Sequence, residues 1–173
     1  MSDLDDLILA VHPYTPTAAE ALAASLRKDD VRELNLLGHT PRTALSLALM
    51  DALSVGTLGN AWAVYSPYQH RYVGMYGYNR IGRTIYSLWT DLTLAQARLI
   101  LRETPKRVLG LVVESGGYPL GNVVWSKHSV ARKWIERSQC FDLQSPKPPF
   151  RPDCLPFTTK PVAELERLAC VDH

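Results

Sequence analysis

The sequence predicts an α+β fold in which helices cover a mostly antiparallel sheet. The central third holds short runs rich in aromatic and β-branched residues, NAWAVYSP, RYVGMYGYN and RTIYSLW, separated by Ser66-Pro67 and by residues 79–82. Such runs between turn signals are typical of an antiparallel meander. Alanine- and leucine-rich segments with cap signals precede and follow it, which indicates helices packed on the sheet as separate layers.

Length and composition indicate one ordinary globular domain. The chain has 173 residues, of which 46% are hydrophobic and 21% charged, enough to bury a core. A net charge of +2 is too small to indicate a nucleic-acid or membrane-surface partner. The apolar runs are shorter than a membrane span, and no Lys or Arg precedes Arg27. We therefore expect no membrane-spanning segment, no secretory signal and a protein that is not secreted.

N-cap residues in the sequence predict where the first helices begin. Thr17-Ala-Ala-Glu20 has the form of a capping box, which predicts a helix from Ala18 to about Arg27, after a possible strand at LILAVH. Thr40-Pro41 combines an N-cap with proline at the first helical position, which predicts a second helix with a leucine stripe.

The second half of the sequence contains further helix and strand signals. Thr93-Leu-Ala-Gln96 is another capping box, and we expect Pro105 to interrupt the helix that follows. GNVVWS predicts a strand, SVARKWIER an amphipathic helix, and QCFDL and CLPFT two closing strands. These features divide the chain into one domain over residues 1–145 and a proline-rich extension over 146–173, with a closing strand and a short terminal helix.

Two further sequence features are relevant to function. The three cysteines show no CxxC spacing, which suits a reducing compartment and predicts no cysteine metal site. Alternation along the strand puts Tyr72, Tyr76 and Tyr78 on one face, where they form either core or a contact surface.

This order of elements resembles the GCN5-related N-acetyltransferase (GNAT) fold. Within it, LRKDDVRELNLLGHTPRTAL, YVGMYGYNRIGRTIYSLWTD and GNVVWSKHSVARKWIERSQCF are similar to the acyltransferase-like proteins of short-tailed, T7-like phages, a group that includes internal virion protein A. The resemblance implies a GNAT-like sheet with helices on both faces. In the third stretch His128 stands at the asparagine position of that group, and Ala131 at its histidine position.

The resemblance also gives expectations for a cofactor. Enzymes of this fold hold the pyrophosphate of acetyl-coenzyme A in a glycine-rich turn after the fourth strand, where backbone amides and the helix dipole favour phosphate. Here no glycine occurs between Gly82 and Gly110, and Asp91 lies in the matching turn. The fold's usual acid and base are absent too, because the strand candidates contain no Glu and no Tyr follows Tyr118. We therefore expect no cofactor, with acetyl-CoA as the alternative.

The function predicted from these features is a non-catalytic component of a phage particle. Its partners would be other virion proteins or further copies of itself, and its location the virion or the host cytoplasm during infection. The alternative is an active N-acyltransferase that uses acyl-CoA in an altered cleft and modifies a host protein or a small amine. In that case the candidate catalytic residues are His128 and Cys140, although His128 at a helix start is more often structural. The candidate cofactor-binding residues are Trp89, Thr90, Trp125 and Ser126; no residue is predicted to bind a metal.

Overall fold

The computed structural model describes residues 8–54 and 58–171 of the chain. Their strands are β1 (Ala10–Pro13), β2 (Gly59–Ser66), β3 (Arg71–Asn79), β4 (Thr84–Trp89), β5 (Gly121–Trp125), β6 (Phe141–Leu143) and β7 (Cys154–Thr159). Their helices are α1 (Pro16–Ala23), α2 (Lys28–Leu36), α3 (Pro41–Leu53), α4 (Leu94–Glu114), α5 (Ser129–Ser138) and α6 (Val162–Ala169).

The strands form one sheet in the order β1-β2-β3-β4-β5-β7-β6. Its neighbouring strands are antiparallel except β4 and β5, which run parallel and share a single register pair, Thr84 with Gly121. The predicted α+β fold with a mostly antiparallel central sheet is therefore confirmed.

Helices cover both faces of the sheet, and each face has its own core. On one face α1 and α3 pack against the small residues Ala61 and Ala63 and against Met75. On the other face α4, α5 and α6 pack against a larger cluster that includes Tyr78 and Phe157. The sheet is thus buried on both sides, and functional side chains can reach solvent only at its ends or where strands separate.

Three helices differ from the sequence prediction. Helix α1 begins at Pro16 with Thr15 as its cap, because proline at the first position favours that start over Thr17. Helix α2, which was not predicted, begins at Lys28 without a side-chain cap. Helix α4 continues through Pro105 without ending, since burial of one of its faces in the core outweighs the missing hydrogen bond.

A bulge in β3 changes the predicted tyrosine face. Val64 pairs with Gly74 and Tyr65 with Tyr72, so Val73 is an extra residue in its strand. One added residue turns the following side chains to the opposite face. Tyr72 therefore packs on the α1–α3 side, while Tyr76 stacks on Trp62 on the α4 side, with ring centroids 5.5 Å apart.

The C-terminal segment shares the sheet and the core. Strand β7 lies between β5 and β6, and Leu165 of α6 is fully buried in the cluster under α4. The division at residue 145 stays a prediction. Across residues 8–54 and 58–171, no helix is long and apolar enough to cross a membrane.

We predict that Leu165→Ala lowers the free energy of unfolding by about 2–5 kcal/mol, because it leaves a cavity in a packed core. Chemical denaturation should show this loss within one cooperative transition. Glu166→Ala, on the exposed side of the same helix, should change stability by less than about 0.5 kcal/mol. Equal effects of the two variants would mean that α6 is not part of the core.

Candidate functional site

Strands β4 and β5 separate from each other like the sides of a wedge. At the closed end the Gly121 N–H donates to the Arg83 carbonyl at 2.8 Å. One step further, the side chain of Asn122 fills the gap: its Nδ2 donates to the Ile85 carbonyl and its Oδ1 accepts the Val123 N–H, both at 2.8 Å. Beyond this bridge no register pair joins the two strands in the described chain.

The β4 side of the wedge presents an unpaired strand edge. The Arg83 and Ile85 carbonyls face β5, whereas the Thr90 N–H bonds to Val73 of β3 at 2.9 Å. Backbone groups of successive residues in a strand point to opposite neighbours. The N–H and C=O groups of Ser87 and Trp89 must therefore point into the wedge, where an added extended chain can pair with them.

The β5 side carries a carboxylate that comes from a distant helix. The Ser126 N–H bonds to the Asp153 carbonyl beside β7 at 2.8 Å, so the alternation directs the Trp125 N–H into the wedge. There the Trp125 N–H donates to Oε1 of Glu33 in α2. Burial raises the pKa of Glu33, and the hydrogen bond from Trp125 opposes this shift without cancelling it.

A buried group of charged and polar residues lies behind Glu33. His128 is fully buried, and its Nδ1 accepts the Ala131 N–H, so the side chain caps α5. Its Nε2 lies 3.4 Å from Asp30 Oδ1 and 3.9 Å from Glu33 Oε2. Arg27 in turn holds Asp30 through two hydrogen bonds of 2.6 and 3.2 Å. This group joins α2 to the corner between β5 and α5.

A small cavity opens beside the wedge on the α4 side, with a volume of about 50 Å³. Trp89 lies in its lining, and its ring covers Gly74, where a Cβ would collide with the indole. Trp134 also lines this cavity, and its buried Nε1 has no hydrogen-bond partner among the described residues. The Arg107 guanidinium, at the same cavity, donates to the Tyr76 hydroxyl at 2.8 Å.

The turn between β4 and α4 is fastened to the rest of the protein. Thr90 is fully buried, and both its N–H and its hydroxyl bond to the Val73 carbonyl. The predicted capping box is confirmed: Thr93 and Gln96 exchange side-chain and backbone hydrogen bonds of 3.1 and 3.2 Å. The Asp91 side chain in the same turn is exposed.

The structure brings the four predicted cofactor-binding residues to the open end of the wedge. Trp89 is the last residue of β4 and Trp125 the last residue of β5, and Thr90 and Ser126 directly follow them. Their role in binding stays a prediction, as does the catalytic role of His128 and Cys140. Cys140 is fully buried, and burial raises its thiol pKa to about 11, so little thiolate exists at neutral pH.

Glu33 was not predicted as a site residue. The resemblance suggested a glutamate in the central strands, whereas Glu33 lies in α2, a helix that was not predicted either. A signal was present in RKDDVRELNL, since Asp30, Glu33 and Leu34 recur at helical spacing. Nothing in that segment indicates that Glu33 reaches a strand 92 residues later.

Comparisons with known proteins identify the fold. No protein-family model matches the sequence, and no curated protein matches it. Among solved structures, an acetyltransferase from Agrobacterium tumefaciens is similar with a TM-score of 0.62 and 13% identity, over 88% of this chain and 90% of that one. The aminoglycoside 6′-acetyltransferase type Ii gives 0.61 and 13%, over 90% and 97%.

A third structure, spermidine N-acetyltransferase from Vibrio cholerae in complex with CoA and spermine, has a TM-score of 0.56 and 9% identity, over 91% of this chain and 98% of that one. The chain has the GNAT fold. At these identities the similarity establishes the fold alone. These structures give no support to a role in a phage particle.

The prediction that the chain works without a cofactor is contradicted by these neighbours. They are acetyltransferases, and one of them was solved with CoA. That prediction was based on the turn at Asp91, and this turn concerns only the binding of the cofactor's phosphates. The other end of coenzyme A is a pantetheine arm with amide groups, and the unpaired edge at Ser87 and Trp89 fits such an arm.

We predict that Gly74→Ala lowers the free energy of unfolding by about 1–3 kcal/mol, because the added methyl group forces the Trp89 ring out of its position. The shift should also change tryptophan fluorescence. Gly110→Ala is the matched control, since a Cβ there meets nothing within 4 Å and should stabilise α4 by about 0.5–1 kcal/mol. An unchanged stability and emission spectrum in Gly74→Ala would contradict the described placement of Trp89.

Proposed function

We propose that this chain is an N-acyltransferase that takes an acyl group from a coenzyme A thioester and transfers it to an amine. The wedge between β4 and β5 carries this proposal, because it combines an unpaired strand edge with a buried carboxylate at its open end. The GNAT fold makes the same reaction class a reasonable expectation by analogy.

The strand edge would hold the pantetheine arm. Amides of an extended arm can exchange hydrogen bonds with the N–H and C=O groups of Ser87 and Trp89, as a peptide does when it extends a sheet. The cavity of about 50 Å³ has room for only a few water molecules. Entry of the arm therefore requires side chains of the lining to move, and the Trp89 ring is the largest group at the strand end.

Glu33 would act as the general base. An amine such as a lysine side chain is protonated at neutral pH, so it must lose a proton before it can attack. The thioester supplies an activated carbonyl carbon. The amine nitrogen bonds to this carbon, the C–S bond breaks, and the leaving thiolate would take a proton from solvent to become the free thiol. The carboxylate of Glu33, which lies at the open end of the wedge beside Trp125, would take the proton from nitrogen.

His128 is a positioning residue in this proposal. It is fully buried and has no route to a substrate, but its Nε2 lies 3.9 Å from Glu33 Oε2 and its ring caps α5. Cys140 takes no step. The structural role in a phage particle, which the sequence resemblance implies, stays a prediction that mass spectrometry of purified particles can address.

We predict that the wild-type protein binds acetyl-CoA and that Ser87→Pro weakens binding by about tenfold or more, because proline removes one N–H that faces the wedge. No ladder hydrogen bond is lost, since that N–H points away from β3. Ser87→Ala is the matched control: it removes only the hydroxyl and should bind as the wild type does. Isothermal titration calorimetry measures the dissociation constants, and circular dichroism confirms that both variants fold.

Failure of the wild-type protein to bind acetyl-CoA at millimolar concentration would refute the proposed function. Equal weakening in Ser87→Pro and Ser87→Ala would place the arm elsewhere.

We predict that Glu33→Gln lowers the acyl-transfer rate by about 10²–10⁴-fold, the usual contribution of a general base. The wild-type rate should fall as the pH drops through the pKa of Glu33, which burial raises above its ordinary 4.5, because only the carboxylate accepts a proton. Glutamine still accepts the Trp125 N–H, so acetyl-CoA binding should not change. Release of free thiol from acetyl-CoA, with a panel of primary amines that includes spermidine, measures the rate.

The glutamine variant should also lose the acidic limb of the pH–rate profile. A variant that keeps this limb and its rate would remove Glu33 from the mechanism while leaving the wedge proposal intact.

A further inference from the structure

We infer that the closed end of the wedge carries a second binding site, which takes a phosphate monoester of a small molecule. The site is a surface groove of about 400 Å³ between the hairpin that joins β3 to β4 and the loop that joins α4 to β5. Its lining consists of Arg80, Arg83, Ser115, Gly116, Tyr118 and Leu120. The site does not depend on the proposed acyl transfer, because it shares no lining residue with the cavity beside the wedge.

The groove is remote from the open end of the wedge. It adjoins the junction at which the Gly121 N–H donates to the Arg83 carbonyl at 2.8 Å. Strand β4 leads from this junction to Trp89 at the open end, and a strand of its length extends for roughly 17 Å. A ligand in the groove would therefore leave the open end unobstructed.

The guanidinium of Arg83 is the first group that can bind an anion there. It stacks on the Tyr118 ring, with Cζ 4.6 Å from the ring centroid. Stacking uses the flat face of a guanidinium and leaves the N–H groups at its edge available. Two of these N–H groups can bind two oxygens of one phosphate.

The backbone of Arg83 supports a role for its side chain. Its φ is +48°, in the left-handed region that glycine adopts freely and arginine does not. A glycine at this position would relieve the strain, but it would remove the side chain that lines the groove. Strained residues of this kind are concentrated at binding and active sites.

Arg80 brings a second positive charge to the same groove. Its guanidinium donates to the Glu114 carbonyl at the end of α4 at 2.6 Å, which holds the side chain in place and leaves other N–H groups for a ligand. Neither Arg80 nor Arg83 has a carboxylate of a described residue within 4.0 Å, although the exposed Glu114 lies next to the groove. The two charges are therefore available to a ligand.

The pair of arginines favours a phosphate monoester over a carboxylate. A phosphate monoester carries nearly two negative charges at neutral pH and has three acceptor oxygens, so both guanidinium groups can bind it at once. A carboxylate has two oxygens, which one guanidinium satisfies. The groove of about 400 Å³ has the size of a small-molecule site, and the Tyr118 ring, 57% exposed, offers apolar surface to the organic part of the ester.

Titration with phenyl phosphate tests the site. We expect calorimetry to give a dissociation constant of about 1 mM or lower, and benzoate to bind at least about tenfold more weakly. NMR chemical-shift changes should fall on residues 80–83 and 115–120. Added acetyl-CoA should not displace phenyl phosphate, because the groove lies at the other end of β4.

Three variants separate the groove from other phosphate-binding positions. Arg83→Gln should weaken phenyl phosphate binding by about tenfold, the size of a lost charge-assisted contact. Arg71→Gln is the matched control and should bind as the wild type does, since the Arg71 guanidinium bonds to the Asp91 carbonyl beyond the open end of β4. Arg83→Gly should lose binding without a lower melting temperature, because it also relieves the positive φ.

Several results would overturn the inference. Weaker binding in Arg71→Gln than in Arg83→Gln, or displacement of phenyl phosphate by acetyl-CoA, would place the phosphate at the open end. No binding of phenyl phosphate at about 10 mM, or equal affinity for benzoate, would mean that Arg83 only packs on Tyr118. None of these results bears on acyl transfer, which acetyl-CoA binding tests separately.

Discussion

The site depends on the limited pairing between β4 and β5. Strand β5 is tied along its whole length to β7, and β4 to β3, but the two strands share only the pair Thr84 and Gly121. Neighbouring strands twist relative to each other, so two sheet halves joined at one end diverge toward the other. Gly121 also lets β5 lie close to β7, because a Cβ there would lie 2.9 Å from the carbonyl oxygen of Phe157 in β7.

Separation of β4 from β5 leaves backbone N–H and C=O groups without a partner strand. These groups are satisfied on β5 but not on β4. On β5, side chains take the place of a strand: Asn122 accepts the Val123 N–H and Glu33 accepts the Trp125 N–H. On β4, the edge at Ser87 and Trp89 is left to solvent or to a ligand. The backbone groups of β5 that face the wedge therefore have hydrogen-bond partners, whereas those of β4 at Ser87 and Trp89 are unpaired.

Local signals in the sequence were enough for most of the fold. The meander, the caps at Thr40 and Thr93 and the strand before His128 follow from patterns within a few residues, and each is confirmed. Helix α2 was missed because it begins without a side-chain cap and polar residues outnumber apolar ones in its sequence, KDDVRELNL. The contact between Glu33 and Trp125 depends on the tertiary fold, and no local pattern encodes it.

The turn at Asp91 does not by itself decide whether coenzyme A binds. Its lack of glycine and its negative charge do weigh against a phosphate cradle. They do not weigh against the pantetheine arm, which is neutral and, under the proposed function, would lie at a strand edge that only the sheet topology reveals.

His128 joins α2 to the corner between β5 and α5. Its Nδ1 fixes the start of α5, and its Nε2 faces the carboxylates of Asp30 and Glu33. A buried carboxylate costs stability unless it is compensated, and here an arginine, a histidine and a backbone N–H share that compensation. The same contacts that make burial of Glu33 tolerable also hold it at the open end of the wedge. Its raised pKa is therefore a consequence of how the β5–α5 corner is joined to α2, and the chemistry of the site is inseparable from that joint.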